Sequence, residues 1–80
     1  MSYYVYILYS DAISRYYIGS TQDLDNRITE HNSGETKSIK HGIPWRIVWS
    51  QKFETKSDAI KMEIKIKKRG AKRFLLEQIA

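Results

Sequence analysis

The sequence predicts a small α+β domain, and three observations indicate it. Two short runs rich in tyrosine and branched residues lie a hairpin's length apart near the N-terminus. Two segments with helical periodicity follow, separated by a run in which apolar and polar residues alternate. A chain of 80 residues buries only about 60 to 65% of the surface that it exposes when unfolded, which allows one hydrophobic core. We therefore expect a single domain over residues 1–80.

The first two strands are predicted at residues 3–9 and 16–20, joined by a hairpin loop slightly longer than the tightest type. All six tyrosines of the chain lie in these two runs, which is a higher density than a core requires. Successive side chains of a strand point to opposite faces. Tyr6 can therefore face the same side of the sheet as Tyr17 and Gly19.

The first helix is predicted to start after a cap at Thr21 or Asp23 and to run to about Asn32. At about 100° per residue, Arg27 and His31 fall on the apolar stripe that faces the sheet. A guanidinium is always charged and seldom lies on such a stripe without an anion to bind. His31 has two interpretations, a functional imidazole or a structural one whose hydrogen bonds are satisfied.

Residues 33–44 are predicted to form a loop, because glycine, proline and small polar residues interrupt the periodicity. Lys37 and Lys40 give this loop a positive charge. The composition is compatible with a mobile flap over a substrate and equally with a plain solvated connection.

Residues 45–53 alternate as in a strand that packs on one side only. The alternation predicts one packed face that carries Trp45, Ile47, Trp49 and Phe53. Both tryptophans are thus expected in the core rather than as platforms for stacked bases.

The second helix is predicted to start at Thr55 or Ser57 and to end before Gly70, after which a short terminal helix follows. Glu63 lies inside its apolar arc, whereas most of its lysines lie outside. A buried carboxylate without a partner is strongly destabilising, so Glu63 should be ion-paired or bound to a metal. Lys67, one turn later, offers the structural alternative of an i, i+4 ion pair.

The net charge of +5 favours polyanionic partners. Half of the 14 basic residues lie between positions 61 and 73. Their simplest interpretation is a solvated helix face, and the alternative is a surface that binds nucleic acid. The residues that we expect to contact nucleic acid are Lys37, Lys40, Lys61, Lys65, Lys68, Arg69, Lys72 and Arg73.

Composition also excludes some kinds of site and protein. The chain has no cysteine, so disulfides, thiolate metal sites and cysteine nucleophiles are excluded. No segment approaches the roughly 18 uninterrupted apolar residues of a membrane span, and the N-terminus has no basic region followed by an apolar stretch. We therefore expect a cytoplasmic protein with no membrane partner.

Taken in order, these residues resemble the core of the GIY-YIG nuclease superfamily. The resemblance lies in Tyr4-Val5-Tyr6, Tyr17-Ile18-Gly19, Arg27, His31-Asn32-Ser33-Gly34, and the later Ala59, Glu63, Ile66 and Lys67. It covers nearly all 80 residues and is greatest with the small bacterial members that consist of this domain alone. The fold that it implies is a three-stranded antiparallel sheet flanked by helices, in the order β-β-α-β-α-α.

The resemblance also implies hydrolysis of DNA phosphodiester bonds with one divalent cation, Mg²⁺ or Mn²⁺, and no small-molecule substrate. Glu63 matches the metal ligand, and Arg27 matches the residue that holds the phosphate. Tyr6 is the candidate for activating water, and Tyr17 for orienting the network around it. With an ordinary pKa of about 10, Tyr6 needs a nearby cation, His31 or a hydrogen-bond relay to act as a base at neutral pH.

Three departures from the superfamily pattern accompany this resemblance. Tyr4 replaces the first glycine of the motif, Ser20 stands where some members carry a lysine, and no asparagine follows Glu63. The function that we favour is a metal-dependent DNA endonuclease of low sequence specificity, or with a preference for a DNA structure, in DNA repair or processing. The alternatives are a catalytically weak or inactive nucleic-acid-binding module and a docking protein that uses its terminal helix.

Overall fold

The structure, a computed structural model, describes residues 2–79. A three-stranded antiparallel sheet carries helices on both faces, so the predicted class and element order are confirmed. The strands are β1 (Tyr3–Ser10), β2 (Arg15–Thr21) and β3 (Trp45–Phe53), and the α-helices are α1 (Leu24–Asn32), α2 (Lys56–Arg69) and α3 (Ala71–Gln78). Within these residues, no helix has the length and apolar character needed to cross a membrane.

The first strand occupies the middle of the sheet, whose order is β2-β1-β3. This position buries β1 on both faces and divides the core in two. Val5 and Ile7 pack under α2 and α3, whereas Tyr6 and Leu8 pack with α1 and the segment before β3. The predicted alternation of faces along β1 is therefore confirmed. Because Gly19 pairs with Tyr6 in the register, the α1 face is the one that carries the candidate site residues of β1 and β2.

The third strand differs from the prediction. A β-bulge at Val48 shifts the register, because Ile7 pairs with Trp49 while the next residue of β1 pairs with Ile47. The alternation of faces reverses at the bulge. Trp45 consequently packs on the α1 side of the sheet and Trp49 on the α2 side. The prediction of one shared packed face is wrong, although both tryptophans pack against the core as expected.

The segment between α1 and β3 is more regular than the predicted loop, since it contains a short 3-10 helix (Lys37–Gly42). Ile39 of this helix is buried, and its carbonyl accepts a hydrogen bond from the indole N–H of Trp45 at 2.8 Å. Asn32, at the end of α1, donates to the Trp45 carbonyl and accepts from the Trp45 N–H. These contacts hold the segment against the face that carries Tyr6.

The two longer helices begin at residues that the sequence offered as caps. Asp23 accepts a hydrogen bond from the Asn26 N–H at 3.1 Å and so caps α1. Thr55 caps α2 in the same way. At the other end of α2, Gly70 has a φ of 92°, a conformation that favours glycine. The caps set the rotation of each helix and therefore which residues face the sheet.

Candidate active site

A buried hydrogen bond between Tyr6 and His31 forms the centre of the candidate site. Tyr6 lies in β1 and His31 in the last turn of α1, and the Tyr6 Oη lies 2.9 Å from His31 Nε2. Both side chains are almost fully buried. The other ring nitrogen, Nδ1, lies 3.0 Å from the Thr36 Oγ1. The imidazole is therefore held through both nitrogens.

The burial of this pair determines its protonation at neutral pH. Burial raises the pKa of Tyr6 above its ordinary value of 10.0, although the neighbouring Arg27 opposes the shift. Burial and the charge of Arg27 lower the pKa of His31 below its ordinary value of 6.5. Tyr6 is thus a neutral phenol and His31 a neutral imidazole at pH 7. A neutral imidazole carries one proton, so one of its nitrogens can accept a hydrogen bond.

Arg27 lies one turn before His31 on the same face of α1, as the helical spacing predicts. Its Nη1 donates to the Glu30 Oε2 at 3.2 Å, and two fifths of its side chain remain exposed. Its Nε is buried and makes no hydrogen bond of normal geometry within residues 2–79. The adjacent Tyr6 hydroxyl raises the pKa of Arg27, so the side chain stays charged. A partly exposed guanidinium with unused N–H donors can bind an anion.

Tyr17 and Gly19 of β2 complete the α1 side of the site. The rings of Tyr17 and His31 meet edge to face with centroids 5.2 Å apart, and the rings of Tyr17 and Tyr6 are 6.4 Å apart. The predicted shared face of the two tyrosines is confirmed. A Cβ at position 19 would lie 2.5 Å from the Tyr6 Oη, which is too close for any side chain. The Tyr6 hydroxyl therefore occupies the space that glycine leaves open.

Glu63 approaches from α2, on the opposite face of the sheet. Its Oε1 accepts a hydrogen bond from the Ser20 Oγ at 2.8 Å, and its Oε2 accepts one from the Lys67 Nζ at 2.7 Å. The side chain is one fifth exposed. The ion pair that the sequence offered as a structural alternative is therefore present, but it leaves the carboxylate open to solvent.

Both halves of the site meet at the second strand. Gly19 faces the Tyr6 hydroxyl, and the next residue, Ser20, faces Glu63, because successive strand residues point to opposite faces. β2 is an edge strand, so its free edge joins the two sides. After burial, which is the main cause, the charge of Glu63 also raises the pKa of Tyr6. The carboxylate thus lies within electrostatic range of the phenol.

The eight basic residues that were predicted to contact nucleic acid lie on three surfaces rather than on one strip. The first surrounds the exposed Ile64 in a shallow depression of about 420 Å³ on α2 and consists of Lys61, Lys65, Lys68 and Arg69. Arg69 also pairs with Glu77 of α3. The second, Lys72 and Arg73, lines an apolar groove beside Tyr16 and Ile18. The third, Lys37 and Lys40, is exposed on the 3-10 helix. The sequence cluster between positions 61 and 73 is therefore divided between two helices.

Two contacts at the site were not predicted from the sequence. Thr36, which fixes His31, lies in the irregular segment, where no periodic pattern signals its position. Ser20, which contacts Glu63, could have been found, because the strand alternation that places Gly19 toward α1 places Ser20 toward α2. The predicted site residues Tyr6, Tyr17, Arg27 and His31 lie together, with Glu63 across the edge strand.

Known proteins resemble this chain along most of its length. Residues 2–75 match the model of the family described as the GIY-YIG catalytic domain. A UPF0213 protein of Staphylococcus saprophyticus is 38% identical over 66 residues, which cover 81% of this chain and 79% of that protein. A UPF0213 protein of Cupriavidus necator is 38% identical over 68 residues, covering 84% of this chain and 73% of its own length.

A solved structure extends the similarity to the arrangement of elements. The solution NMR structure of a UPF0213 protein from Bacillus halodurans matches with a TM-score of 0.57 and 35% sequence identity. The match covers 99% of this chain and 82% of that chain. The chain therefore belongs to the GIY-YIG family, a nuclease superfamily that generally uses divalent metal ions and whose implied substrate is DNA.

Proposed function

We propose that residues 1–80 form a single nuclease domain that cleaves DNA endonucleolytically with one divalent cation and low sequence specificity, in DNA repair or processing. The observation that carries this proposal is the hydrogen bond between Tyr6 and His31 beside the charged guanidinium of Arg27. Proton transfer and phosphate binding need these groups side by side. Glu63, across the edge strand, supplies the carboxylate for a cation.

Tyr6 and His31 are suited to accept the proton of an attacking water. When His31 carries its proton on Nδ1, Thr36 accepts that hydrogen bond and Nε2 accepts the one from Tyr6. One lone pair of the Tyr6 Oη faces Arg27, and the other can take a proton from water while the phenolic proton moves to Nε2. Tyr6 acts as a base in this scheme without existing as a phenolate, which burial disfavours.

Arg27 is suited to hold the phosphate that is attacked. Glu30 engages its Nη1, which leaves the exposed part of the guanidinium, with Nη2, for phosphate oxygens. A fixed cation at this position offsets the negative charge that grows in the transition state. Tyr17 packs against His31 and so keeps the imidazole in line with Tyr6.

Glu63 is the proposed metal ligand. Residues 2–79 contain no group of three or more His, Cys, Asp or Glu side chains that could enclose an ion. Mg²⁺ and similar hard ions commonly keep several waters and bind through one or two carboxylates, so a single partly exposed glutamate fits such an ion. Each Glu63 oxygen has one donor and retains a lone pair. A bound cation would polarise the phosphate and stabilise the leaving oxygen.

The three basic surfaces are the proposed contacts with DNA. Their lysines and arginines are exposed, and exposed cations bind the phosphate backbone without reading base sequence. This arrangement supports low sequence specificity. It also predicts that DNA affinity falls steeply as the salt concentration rises.

Cleavage of nicked, branched and single-stranded DNA in the presence of Mg²⁺ or Mn²⁺ tests the proposal. Glu63→Gln and Arg27→Ala should each lower the rate by about 100-fold or more, because each removes stabilisation of the transition state. Tyr6→Phe should also lower it by about 100-fold. Tyr9→Phe removes a hydroxyl from the opposite face of the same strand and should leave the rate unchanged. Absence of cleavage, or full activity of Glu63→Gln, would overturn the proposal.

A second candidate function is a nucleic-acid-binding module with a weak catalytic site. It is favoured by Ser20 in the position where some members have a lysine and by the absence of an asparagine after Glu63. This function predicts salt-sensitive DNA binding that survives Glu63→Ala, together with no Mn²⁺ binding at millimolar concentration. Metal-dependent cleavage by the wild-type protein would exclude it.

A further inference from the structure

The two hydrogen-bond donors on Glu63 differ in how firmly they are held. Ser20 has a short side chain on β2, and its backbone is fixed by pairing with Val5 of the central strand. Lys67 has a long flexible side chain that is 55% exposed. The serine is therefore a permanent partner of the carboxylate, whereas the ammonium can leave for solvent.

The carboxylate needs a positive partner when no metal is bound. Only one fifth of the Glu63 side chain is exposed, so most of its charge is withdrawn from water. The Lys67 ammonium, 2.7 Å from Oε2, compensates that loss of hydration. Because the lysine side of this pair is more than half exposed, the pair is weak and is readily exchanged.

A divalent cation and the ammonium compete for the same oxygen. The Ser20 hydroxyl already occupies one direction at Oε1, and the partner of Oε2 is the exposed Lys67. Two cations beside one carboxylate oxygen repel each other through a short, partly desolvated gap. Binding of the ion should therefore expel the ammonium.

We propose that Lys67 is a positioning residue that substitutes for the metal on Glu63 in the free protein and is displaced when a divalent cation binds, while Ser20 keeps the carboxylate in place. This inference rests on the proposed metal-binding role of Glu63. Lys67 then sets the metal affinity of the site: it weakens binding by competition and prevents an unpaired carboxylate when the metal is absent.

A titration with Mn²⁺ tests the inference, with free Mn²⁺ measured by its electron paramagnetic resonance signal. Lys67→Gln should bind Mn²⁺ about five- to tenfold more tightly than the wild type, because both the competing ion pair and the repulsion are removed. Lys67→Arg keeps the charge and should bind no more tightly than the wild type. Lys61→Gln is the matched control: it removes the same charge from the same helix about 160° around the axis from Glu63 and should change the Mn²⁺ affinity by less than about twofold.

Thermal unfolding provides a second readout that does not depend on DNA cleavage. Without metal, Lys67→Gln should be less stable than the wild type, since Glu63 loses its ion-pair partner. Saturating Mn²⁺ should raise the melting temperature of Lys67→Gln more than it raises that of the wild type. Circular dichroism before heating checks that each variant is folded.

The outcomes separate this inference from the proposed function. If the wild type binds Mn²⁺ through Glu63 but Lys67→Gln binds it equally or more weakly, Lys67 does not compete and the inference is wrong while the metal site remains. If the wild type, Lys67→Gln and Glu63→Gln all fail to bind Mn²⁺, the proposed metal site and the inference fall together.

Discussion

Replacement of Gly19 by alanine should displace the Tyr6 ring from its hydrogen bond with His31. The added Cβ would lie 2.5 Å from the Tyr6 Oη and 2.7 Å from Cζ, whereas ordinary contacts of a Cβ begin near 3.4 Å. The ring must therefore move by about 0.9 Å, and at 1% exposure it has little room to do so. Overpacking of this kind lowers stability by about 1–3 kcal/mol. A displacement of about 1 Å at a catalytic group lowers the rate by about 100-fold.

Three measurements on Gly19→Ala follow from this reasoning: urea unfolding, the NMR signals of the His31 ring, and the rate of DNA cleavage. Gly70→Ala is the comparison variant, because its φ of 92° strains alanine but its Cβ would meet nothing within 4 Å. Gly70→Ala should lose about 1–3 kcal/mol of stability and keep both the His31 signals and the activity. The Tyr6 ring is not displaced if the free energy of unfolding of Gly19→Ala lies within about 0.5 kcal/mol of that of the wild type and the His31 signals are unchanged. That result would contradict the prediction.

Other predictions concern pH and the anchoring of α1. Folding lowers the pKa of His31, so below pH 6.5 the unfolded chain binds more protons than the folded protein. The free energy of unfolding should therefore decrease as the pH falls below 6.5. His31→Gln should make this decrease smaller. Because folding raises the pKa of Tyr6, stability should fall above pH 10.0, and Tyr6→Phe should remove that loss. Urea unfolding at a series of pH values measures both effects. A variant whose free energy of unfolding changes with pH as steeply as that of the wild type would contradict the corresponding prediction. Asn32→Ala loses two hydrogen bonds to Trp45 and should unfold about 1–3 kcal/mol more easily; an unchanged urea midpoint would contradict this.

Local patterns predicted most of the fold because each acts over a few residues. Alternation in β1 correctly separated Val5 from Tyr6, and helical spacing correctly turned Arg27 and His31 toward the sheet. The bulge at Val48 has no comparable signal, since it depends on how two distant strands pair. The extra residue in β3 reverses the faces of the residues before the bulge relative to those after it.

The candidate site was predictable to the extent that its residues lie on regular elements. The spacing within β1, β2 and α1 brings Tyr6, Tyr17 and His31 together, and the structure places their rings side by side. The Thr36 hydroxyl was not predictable, because an irregular segment carries it to the imidazole. Burial also changed the expected chemistry. A phenol with a raised pKa has to pass its own proton on, so of the three aids predicted for Tyr6 (a nearby cation, His31 or a relay) the structure favours His31 as the acceptor.

Glu63 and the tyrosine–arginine cluster should form one site across the edge strand. Paramagnetic broadening of NMR signals by substoichiometric Mn²⁺ tests it most directly, because the effect falls off steeply with distance from the ion. The side-chain signals of Tyr6, Tyr17 and Arg27 should broaden in the wild type and stay sharp in Glu63→Gln. Broadening confined to other acidic residues, or the same broadening in Glu63→Gln, would contradict it.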